Sequence, residues 1–255
     1  MNQPDPIAGH RVPDIGRALT IVAVSAGVSD PSSTRLLADR IAQKSIDALN
    51  AAGLRAVVTT IELGPLAVDI ARSIVTGYPN EAAQAAIDRL ADADAIIAST
   101  PVYKAGVSGL FKSFADLIDN DLLIAKPVVL AATGGTSRHA MVVDDQLRPL
   151  FAFLRALPVP TSLYAAPEDW GSPELGRRIE RTAAELALIL RSGVATQIAE
   201  DNWAGYQHQF GGSATRAERG IDDVDFDSDL MRLAAGGKPG SRAALRDAVR
   251  LDDPA

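Results

Sequence analysis

The stretch that decides the fold is LTIVAVSAGVSDPSSTRLL, residues 19–37. Its first six residues are short, apolar and rich in β-branched side chains, as in a strand that is buried on both faces. Apolar side chains then recur at helical spacing from Leu36 to Leu49, which predicts a helix that begins near Ser32. A buried strand that leads through a polar loop into a helix is typical of parallel α/β sheets.

The polar loop of residues 25–34 predicts an anion site, because free backbone amides and the positive end of the helix dipole converge at a helix start. The hydroxyl groups that it adds belong to Ser25, Ser32, Ser33 and Thr34. The loop lacks the lysine of a Walker A motif and the glycine spacing of the dinucleotide fingerprint. A single terminal phosphate, as in a mononucleotide, fits best. The alternative is that Ser32 only caps the helix.

Strand and helix patterns alternate along most of the chain. The further strands are predicted at 54–63, 93–99, 126–132 and 159–164, and the helices at 66–75, from 80 onward, and at 108–118, 141–157 and 172–190. Five strands separated by helices predict a flavodoxin-like, doubly wound parallel sheet with strand order 2-1-3-4-5. We expect an N-terminal arm at 1–17, one flavodoxin-like domain at 18–195 and an irregular extension at 196–255.

Composition excludes several classes of function. The chain has 255 residues and no cysteine, which rules out disulfides, thiolate catalysis and cysteine-ligated zinc or iron–sulfur clusters. A formal net charge of −7 argues against nucleic-acid binding. The three histidines show no ligand-like spacing, so no metal site is expected. No apolar run has the length of a membrane span and no signal pattern opens the chain, so we expect a cytoplasmic protein without a membrane partner.

Two further polar loops follow predicted strands at the edge where such sheets bind ligands. In the second loop, 100–106, Pro101 fixes the chain, Tyr103 offers an aromatic edge and Gly106 permits a close approach. The backbone of Val102, Lys104 and Ala105 completes this segment. The alternative is an ordinary strand-to-helix turn with Tyr103 on the surface.

The third loop is glycine-rich and is formed by Thr133, Gly134, Gly135 and Thr136. Glycine accepts a positive φ, so a sharp turn is expected, with amides that face the N1–O2 edge of a flavin. His139 follows and is placed to contact the flavin or a nicotinamide; alternatively it is a solvated residue at a helix start. Together the three loops supply the phosphate cradle, ring slot and N1-edge donors that FMN requires.

Three motifs carry a resemblance to a known family: SAGVSDPSSTRLL at 25–37, TPVYKAGVSGLFK at 100–112 and ATGGTSRH at 132–139. Over roughly residues 18–195 the chain resembles the NAD(P)H-dependent FMN reductases, and among them the actinobacterial branch that partners luciferase-like flavin monooxygenases. The first loop departs from the common G-S-x-R-x-x-S pattern: it is longer and has no arginine before Ser32. Arg35 is placed to take that role; alternatively it is a surface residue of the helix.

The resemblance implies hydride transfer from NADH or NADPH to FMN, with no catalytic side chain because the chemistry belongs to the two cofactors. It also implies a homodimer or dimer of dimers, and delivery of reduced FMN to a flavin-dependent monooxygenase. Three alternatives stay open: an FMN-containing quinone, azo or chromate reductase, a flavodoxin-like electron carrier without NAD(P)H turnover, and a binding module without flavin.

Overall fold

A parallel sheet forms the centre of the computed structural model, which describes residues 17–203. The strands are β1 Leu19–Ser25, β2 Ala56–Glu62, β3 Ala95–Tyr103, β4 Gly106–Val107, β5 Pro127–Thr133, β6 Leu157–Pro158 and β7 Leu163–Ala165. The sheet runs β2-β1-β3-β5, with β6 and β7 both parallel to the outer side of β5. Counted as five principal strands, this is the order 2-1-3-4-5, so the predicted flavodoxin-like fold is confirmed.

Helices cover both faces of the sheet. They are α1 Ser33–Ala51, α2 Ala67–Thr76, α3 Glu81–Ala91, α4 Gly109–Ala115, α5 Arg148–Phe153, α6 Pro173–Ser192 and α7 Val194–Trp203. Alternate side chains of β1 enter opposite cores: Ile21 and Ala23 pack with α1 and α6, whereas Val22 and Val24 pack with α2 to α5. Burial on both faces explains why the central strands read as continuous apolar runs.

The helix starts are the best-predicted local features, because polar side chains cap them. Ser32 Oγ accepts a hydrogen bond from the backbone N–H of Arg35, as expected for the cap of α1. Asn80 likewise caps α3 and Ser172 caps α6. The predicted starts of these three helices agree with the structure to within a residue.

The second polar loop differs from the prediction. β3 does not end at residue 99 but continues through Pro101 to Tyr103, and β4 pairs with it antiparallel through Val102↔Val107 and Tyr103↔Gly106. The segment is therefore a tight hairpin that projects beyond the parallel sheet. Two-residue hairpin turns usually contain glycine or asparagine. The turn residues here are Lys104 and Ala105, so the sequence did not indicate a hairpin.

The predicted continuous helix at 141–157 is wrong. A short 3₁₀ turn, Ser137–His139, is followed by a π-helical turn, Val143–Leu147, and then by the six residues of α5. The N–H of Arg148 bonds Val143 O, five residues back. Pro149 has no N–H for the ordinary bond to the fourth preceding carbonyl, which accounts for the wider turn at this point.

The predicted fifth strand at 159–164 is correct only at its end. β6, Leu157–Pro158, stops before the predicted start, and β7, Leu163–Ala165, begins four residues after it. Pro160 lacks a backbone donor, so a regular ladder cannot run from β6 through it to β7. Side chains form hydrogen bonds with the backbone groups between β6 and β7. Arg148 donates to Val159 O at 3.3 Å and to Pro160 O at 3.2 Å, and Glu185 accepts from Thr161 N at 2.9 Å.

The N-terminal arm and the C-terminal extension predicted from sequence lie mostly outside the described residues, which leave out 1–16 and 204–255. The boundary drawn at 195 lies inside α7. In the part of the chain that the structure describes, no helix combines the length and the apolar character needed to cross a membrane.

Replacing the α3 cap tests the account of this helix start. Asn80 Oδ1 accepts from Ala83 N at 3.0 Å, and its Nδ2 donates to Asp69 Oδ1 at 2.7 Å. We expect Asn80→Ala to lower the free energy of unfolding by about 1 kcal/mol in urea denaturation. Asn50→Ala, in the exposed last turn of α1, is the control and should stay within about 0.5 kcal/mol of the parent. Equal effects would contradict the assignment.

Candidate flavin site at the carboxyl edge of the sheet

The strand register brings the three polar loops together. Ser25, where the first loop begins, pairs with Ser99 of β3, and Pro101 of β3 pairs with Thr133, where the third loop begins. β3 thus lies between the other two strands and carries the hairpin past their ends. All three predicted segments occupy one edge of the sheet, at the switch point between β1 and β3, as expected for ligand sites in this fold.

The first loop folds tightly against the start of α1. A Cβ added at Gly27 would lie 1.9 Å from Ser32 Oγ and 3.0 Å from Thr34 Cβ, so a side chain at this position would displace the Ser32 hydroxyl. Ser32 caps the helix, and Ser33, the first helical residue, is exposed. The capping alternative for Ser32 is therefore correct as a description of its contacts, while Ser33 stays open to a ligand.

A buried hydrogen bond joins the first and third loops. Thr34 Oγ1 and Thr133 Oγ1 lie 2.7 Å apart, and both residues are buried. Ser99 Oγ also donates to Thr34 O at 2.9 Å. Thr34, predicted as a phosphate ligand, thus has a structural partner that the sequence did not indicate, and it fixes the start of α1 to two neighbouring strands.

Ser25 supplies the observation that bears most directly on a ligand. Its side chain is buried and, among residues 17–203, its Oγ is the buried side-chain polar atom without a hydrogen-bond partner. Unsatisfied buried hydroxyls are uncommon because each costs free energy. An unpartnered buried hydroxyl at the start of a loop that packs tightly at Gly27, beside a helix N-terminus, fits the phosphate end of FMN.

The hairpin forms the second side of the site. Lys104 and Ala105 have φ values of 50° and 60°, a left-handed conformation that residues with a Cβ seldom adopt. Tyr103 is 53% exposed. Below the tip, Ser108 N donates to Thr100 Oγ1 at 3.2 Å, and Ser108 Oγ caps α4 by accepting from Phe111 N. The hairpin is thus tied to β3 and to α4 at its base.

The third loop turns without a positive φ. Positive φ values among the described glycines occur at positions 53, 77 and 193, so the reason expected for Gly134 and Gly135 is wrong. Gly134 is required by close packing instead: an added Cβ would lie 2.2 Å from the hydroxyl oxygen of Tyr164. That hydroxyl donates to Thr136 O at 2.6 Å. At Gly135 an added Cβ would meet nothing within 4 Å.

The polar groups around the third loop do not form an acid–base pair. Burial, followed by the charges of Glu168 and Asp169, raises the pKa of the Tyr164 phenol. His139 is half-buried at the end of the 3₁₀ turn, and no described hydrogen bond joins its side chain to the first two loops. Within residues 17–203, no three His, Asp or Glu side chains are grouped as metal ligands.

Arg35 does not take the place of the missing loop arginine. Its Nε donates to Asp39 Oδ1 at 2.8 Å, and its guanidinium also pairs with Glu62. The hydrogen bond that Arg35 donates to Asp39 is the main reason that the pKa of Arg35 is raised. Two carboxylates therefore hold this cation beside α1, and the first loop itself offers hydroxyls and backbone amides.

Sequence analysis missed two residues that shape the site, Gly27 and Tyr164. The position of Gly27 between Ser25 and Ser29 could have indicated its role, because a loop that closes tightly around an anion needs a residue without a side chain. No local pattern indicates Tyr164, since it reaches Gly134 from a strand 30 residues later.

Substitutions of the two adjacent glycines test the packing of the third loop. We expect Gly134→Ala to lower the free energy of unfolding by about 1–3 kcal/mol, because the new methyl group overlaps the buried Tyr164 hydroxyl. Gly135→Ala, with open space around it, should change it by less than about 1 kcal/mol. The measurement is urea denaturation of both variants.

The same substitution in a Tyr164→Phe variant tests whether the Tyr164 hydroxyl is the group that the new methyl group meets. In Tyr164→Phe the hydroxyl oxygen is gone, so the cost of Gly134→Ala should fall, and the two changes should be coupled in a double-mutant cycle. Additive effects, or equal costs for the two glycines, would show that the contact does not constrain the loop.

Comparisons with known proteins agree with this geometry. The family model described as NADPH-dependent FMN reductase matches residues 19–198. The NADH-dependent FMN reductase SfnE of Pseudomonas putida is 38% identical over 177 residues, which cover 68% of this chain and 92% of the relative. An FMN reductase (NADPH) of Pseudomonas aeruginosa is 38% identical over 178 residues, with the same coverage.

Solved structures show the same fold. An oxidoreductase from Corynebacterium diphtheriae superposes with a TM-score of 0.66 at 41% identity, covering 68% of this chain and 97% of the other. The apo form of the NADH:FMN oxidoreductase EmoB has a TM-score of 0.57 at 24% identity, covering 67% and 89%.

The match extends from β1 into α7 and includes all three loops of the site, in a sheet whose strand order is that of flavodoxin-like proteins. The predicted enzyme class, an oxidoreductase that works with FMN and NADPH or NADH, is confirmed at the level of the family. The chain belongs to the NADPH-dependent FMN reductase family.

Proposed function

We propose that this chain binds FMN across its three loops and catalyses FMN reduction by NADH or NADPH, with release of the reduced flavin to a flavin-dependent monooxygenase. The observation that carries the site is the buried, unpartnered Ser25 hydroxyl beside the N-terminus of α1. Curated relatives with both nicotinamide preferences, NADH in one and NADPH in another, support the reductase activity and leave the choice of nicotinamide open.

The first loop holds the phosphate in this proposal. Its ligands are the hydroxyls of Ser25 and Ser33 and the amides around Gly27 and Ser32, all at the positive end of the 19-residue helix α1. Thr34 contributes by fixing the helix start to Thr133. Because the Arg35 guanidinium is paired with Asp39 and Glu62, phosphate binding depends on hydrogen bonds from the loop. Binding of this kind suits a ligand that exchanges readily.

The second and third loops hold the ring. The segment from Pro101 to Gly106 lies beside it through backbone groups, with Tyr103 at its edge, and the amides of Gly134 and Gly135 face the N1–O2 edge. Open space at Gly135 leaves room for this approach. His139 is assigned to the rim, where a nicotinamide would enter.

Bound FMN supplies an acceptor for the hydride of the nicotinamide, and the protein side chains take no proton in that transfer. The role of the chain is to hold two rings in contact and to stabilise negative charge at the N1 edge with preorganised amides. This role agrees with the hydroxyl groups and backbone amides that the described residues of the first and third loops offer to a ligand.

Electron carriers of the flavodoxin type usually place aromatic side chains on both faces of the ring, whereas this site leaves a face open to a nicotinamide. Tyr103 is 53% exposed and is the aromatic residue of the three loops. A second subunit is proposed to cover the ring in a homodimer or dimer of dimers. Exposed apolar side chains suited to such a contact are Met141, at 60%, and Phe153, at 65%.

Anaerobic reduction tests the activity. Purified protein is mixed with FMN and either NADH or NADPH, and the long-wavelength flavin absorbance is followed. Protein-dependent bleaching that continues through many equivalents of added FMN supports a reductase that releases its product. Bleaching limited to one equivalent, with turnover only when a quinone or azo compound is added, would instead indicate the resident-flavin reductase. Flavin binding without bleaching would indicate the electron carrier.

Loop-one variants test the phosphate assignment. We expect Gly27→Ala to raise the Kd of FMN by about tenfold or more, because the added methyl group displaces the Ser32 side chain, and Ser33→Ala to raise it by about threefold. The Kd of riboflavin, which has no phosphate, should change by less than about twofold in both. Quenching of flavin fluorescence measures all four values.

The control is Gly176→Ala, an exposed position in α6 where an added Cβ meets nothing within 4 Å. It should leave both flavin affinities unchanged. If Gly27→Ala and Ser33→Ala weakened FMN and riboflavin equally, the phosphate would not lie in the first loop.

A further inference from the structure

We propose that Gln146 is a positioning residue that holds the hairpin tip, residues 103–106, in the conformation required for flavin binding; this inference rests on the proposed function. Gln146 lies in the π-helical turn Val143–Leu147, about 40 residues from the hairpin in sequence. It is not part of the three loops and contributes no group to the chemistry.

The contact is a two-point clamp on the backbone. Gln146 Nε2 donates to Ala105 O at 3.2 Å, and Gln146 Oε1 accepts from Val107 N at 3.1 Å. The carbonyl can only accept and the N–H can only donate, so the two contacts together fix the orientation of the amide. The side chain thus pairs with the free edge of β4 as a neighbouring strand would.

The hairpin needs such support because its own interactions are few. β4 has only two residues, and two-stranded pairings of this length are weak by themselves. The turn residues Lys104 and Ala105 both hold left-handed φ values that oppose the preference of residues with a Cβ. Conformations of this kind persist only where surrounding contacts impose them.

The element that carries Gln146 is itself rigid. Val143 and Leu147, on either side, are completely buried. Asp144 Oδ1 accepts from Ser162 Oγ at 2.6 Å and from Arg148 Nε at 2.9 Å, which fastens the turn to the interrupted fifth strand. Gln146 therefore projects from a fixed base, and its amide position is set by the core.

The absence of a side chain at Gly106 is part of the same contact. A Cβ added at Gly106 would lie 3.2 Å from Gln146 Oε1. Gly106 was expected from sequence to permit approach of a ligand. The structure shows that its lack of a side chain also permits approach of the Gln146 amide, from the side of the hairpin where β4 ends.

The test replaces the amide with a side chain of similar shape, Gln146→Met, and measures flavin binding and backbone protection separately. Without flavin, exchange of the Val107 amide hydrogen should become at least about fivefold faster, because its acceptor is gone. The Kd of FMN should rise by about three- to tenfold, the effect of two lost hydrogen bonds. The Kd of riboflavin should rise by the same factor, because the clamp acts on the ring and not on the phosphate.

Gln146→Glu separates the two halves of the clamp. Its carboxylate still accepts from Val107 N but cannot donate to Ala105 O, so Val107 should stay protected while FMN binding weakens. Gln43→Met is the matched control: Gln43 is an exposed amide on α1 that bonds Asp47 at 3.0 Å, and its loss should change neither readout.

Failure of this inference is distinguishable from failure of the proposed function. If the unaltered protein binds FMN and Gln146→Met binds it equally well, or if Val107 exchange is unchanged in Gln146→Met, the positioning role is wrong and the reductase assignment stands. If the unaltered protein binds no flavin, both are wrong. A fall in the melting temperature of Gln146→Met without any change in flavin Kd would also refute the positioning role.

Discussion

The hydrogen bond between Thr34 Oγ1 and Thr133 Oγ1, 2.7 Å long and buried, is the constraint on which the site depends. It joins the start of α1 to the end of β5 across β3, which lies between them. Hydrogen bonds in such a dry environment are strong and directional. The helix N-terminus and the glycine-rich loop are consequently held at a fixed separation, and a ligand that spans them meets a preorganised surface.

The three loops are fixed by different physical means, and this difference matches the parts of the ligand they are proposed to hold. The phosphate loop is closed by packing at Gly27 and by the helix cap. The glycine-rich loop is fixed by Tyr164, whose hydroxyl occupies the space beside Gly134. The hairpin has left-handed turn residues and is held at its tip by Gln146, a residue of none of the loops.

Most of the fold could be predicted from sequence because local signals agree with the global arrangement. The apolar runs of β1, β3 and β5 reflect burial on both faces, and Ser32 and Asn80 mark helix starts through their own hydrogen bonds. The errors arose where local chemistry opposed the pattern. Pro149 interrupts the expected long helix, and Pro160 interrupts the last strand.

The candidate site was likewise predictable in part: its segments could be identified from sequence, but the contacts between them could not. The segments that form it were identifiable, since each follows a strand at one edge of the sheet. The contacts that shape it were not, because Thr34 meets Thr133 across 99 positions, and Tyr164 and Gln146 reach their loops from distant elements. Side chains that act at long range leave no periodic or local signature.

The measurement that tests the central claim most directly is an NMR titration of the ¹⁵N-labelled protein with FMN and, separately, with riboflavin. If the three loops form one flavin site, amide signals at 26–33, 104–107 and 134–136 shift with FMN, those of α3 do not, and riboflavin moves the second and third groups but not the first. Shifts confined to another surface, or none at either ligand, would contradict the account.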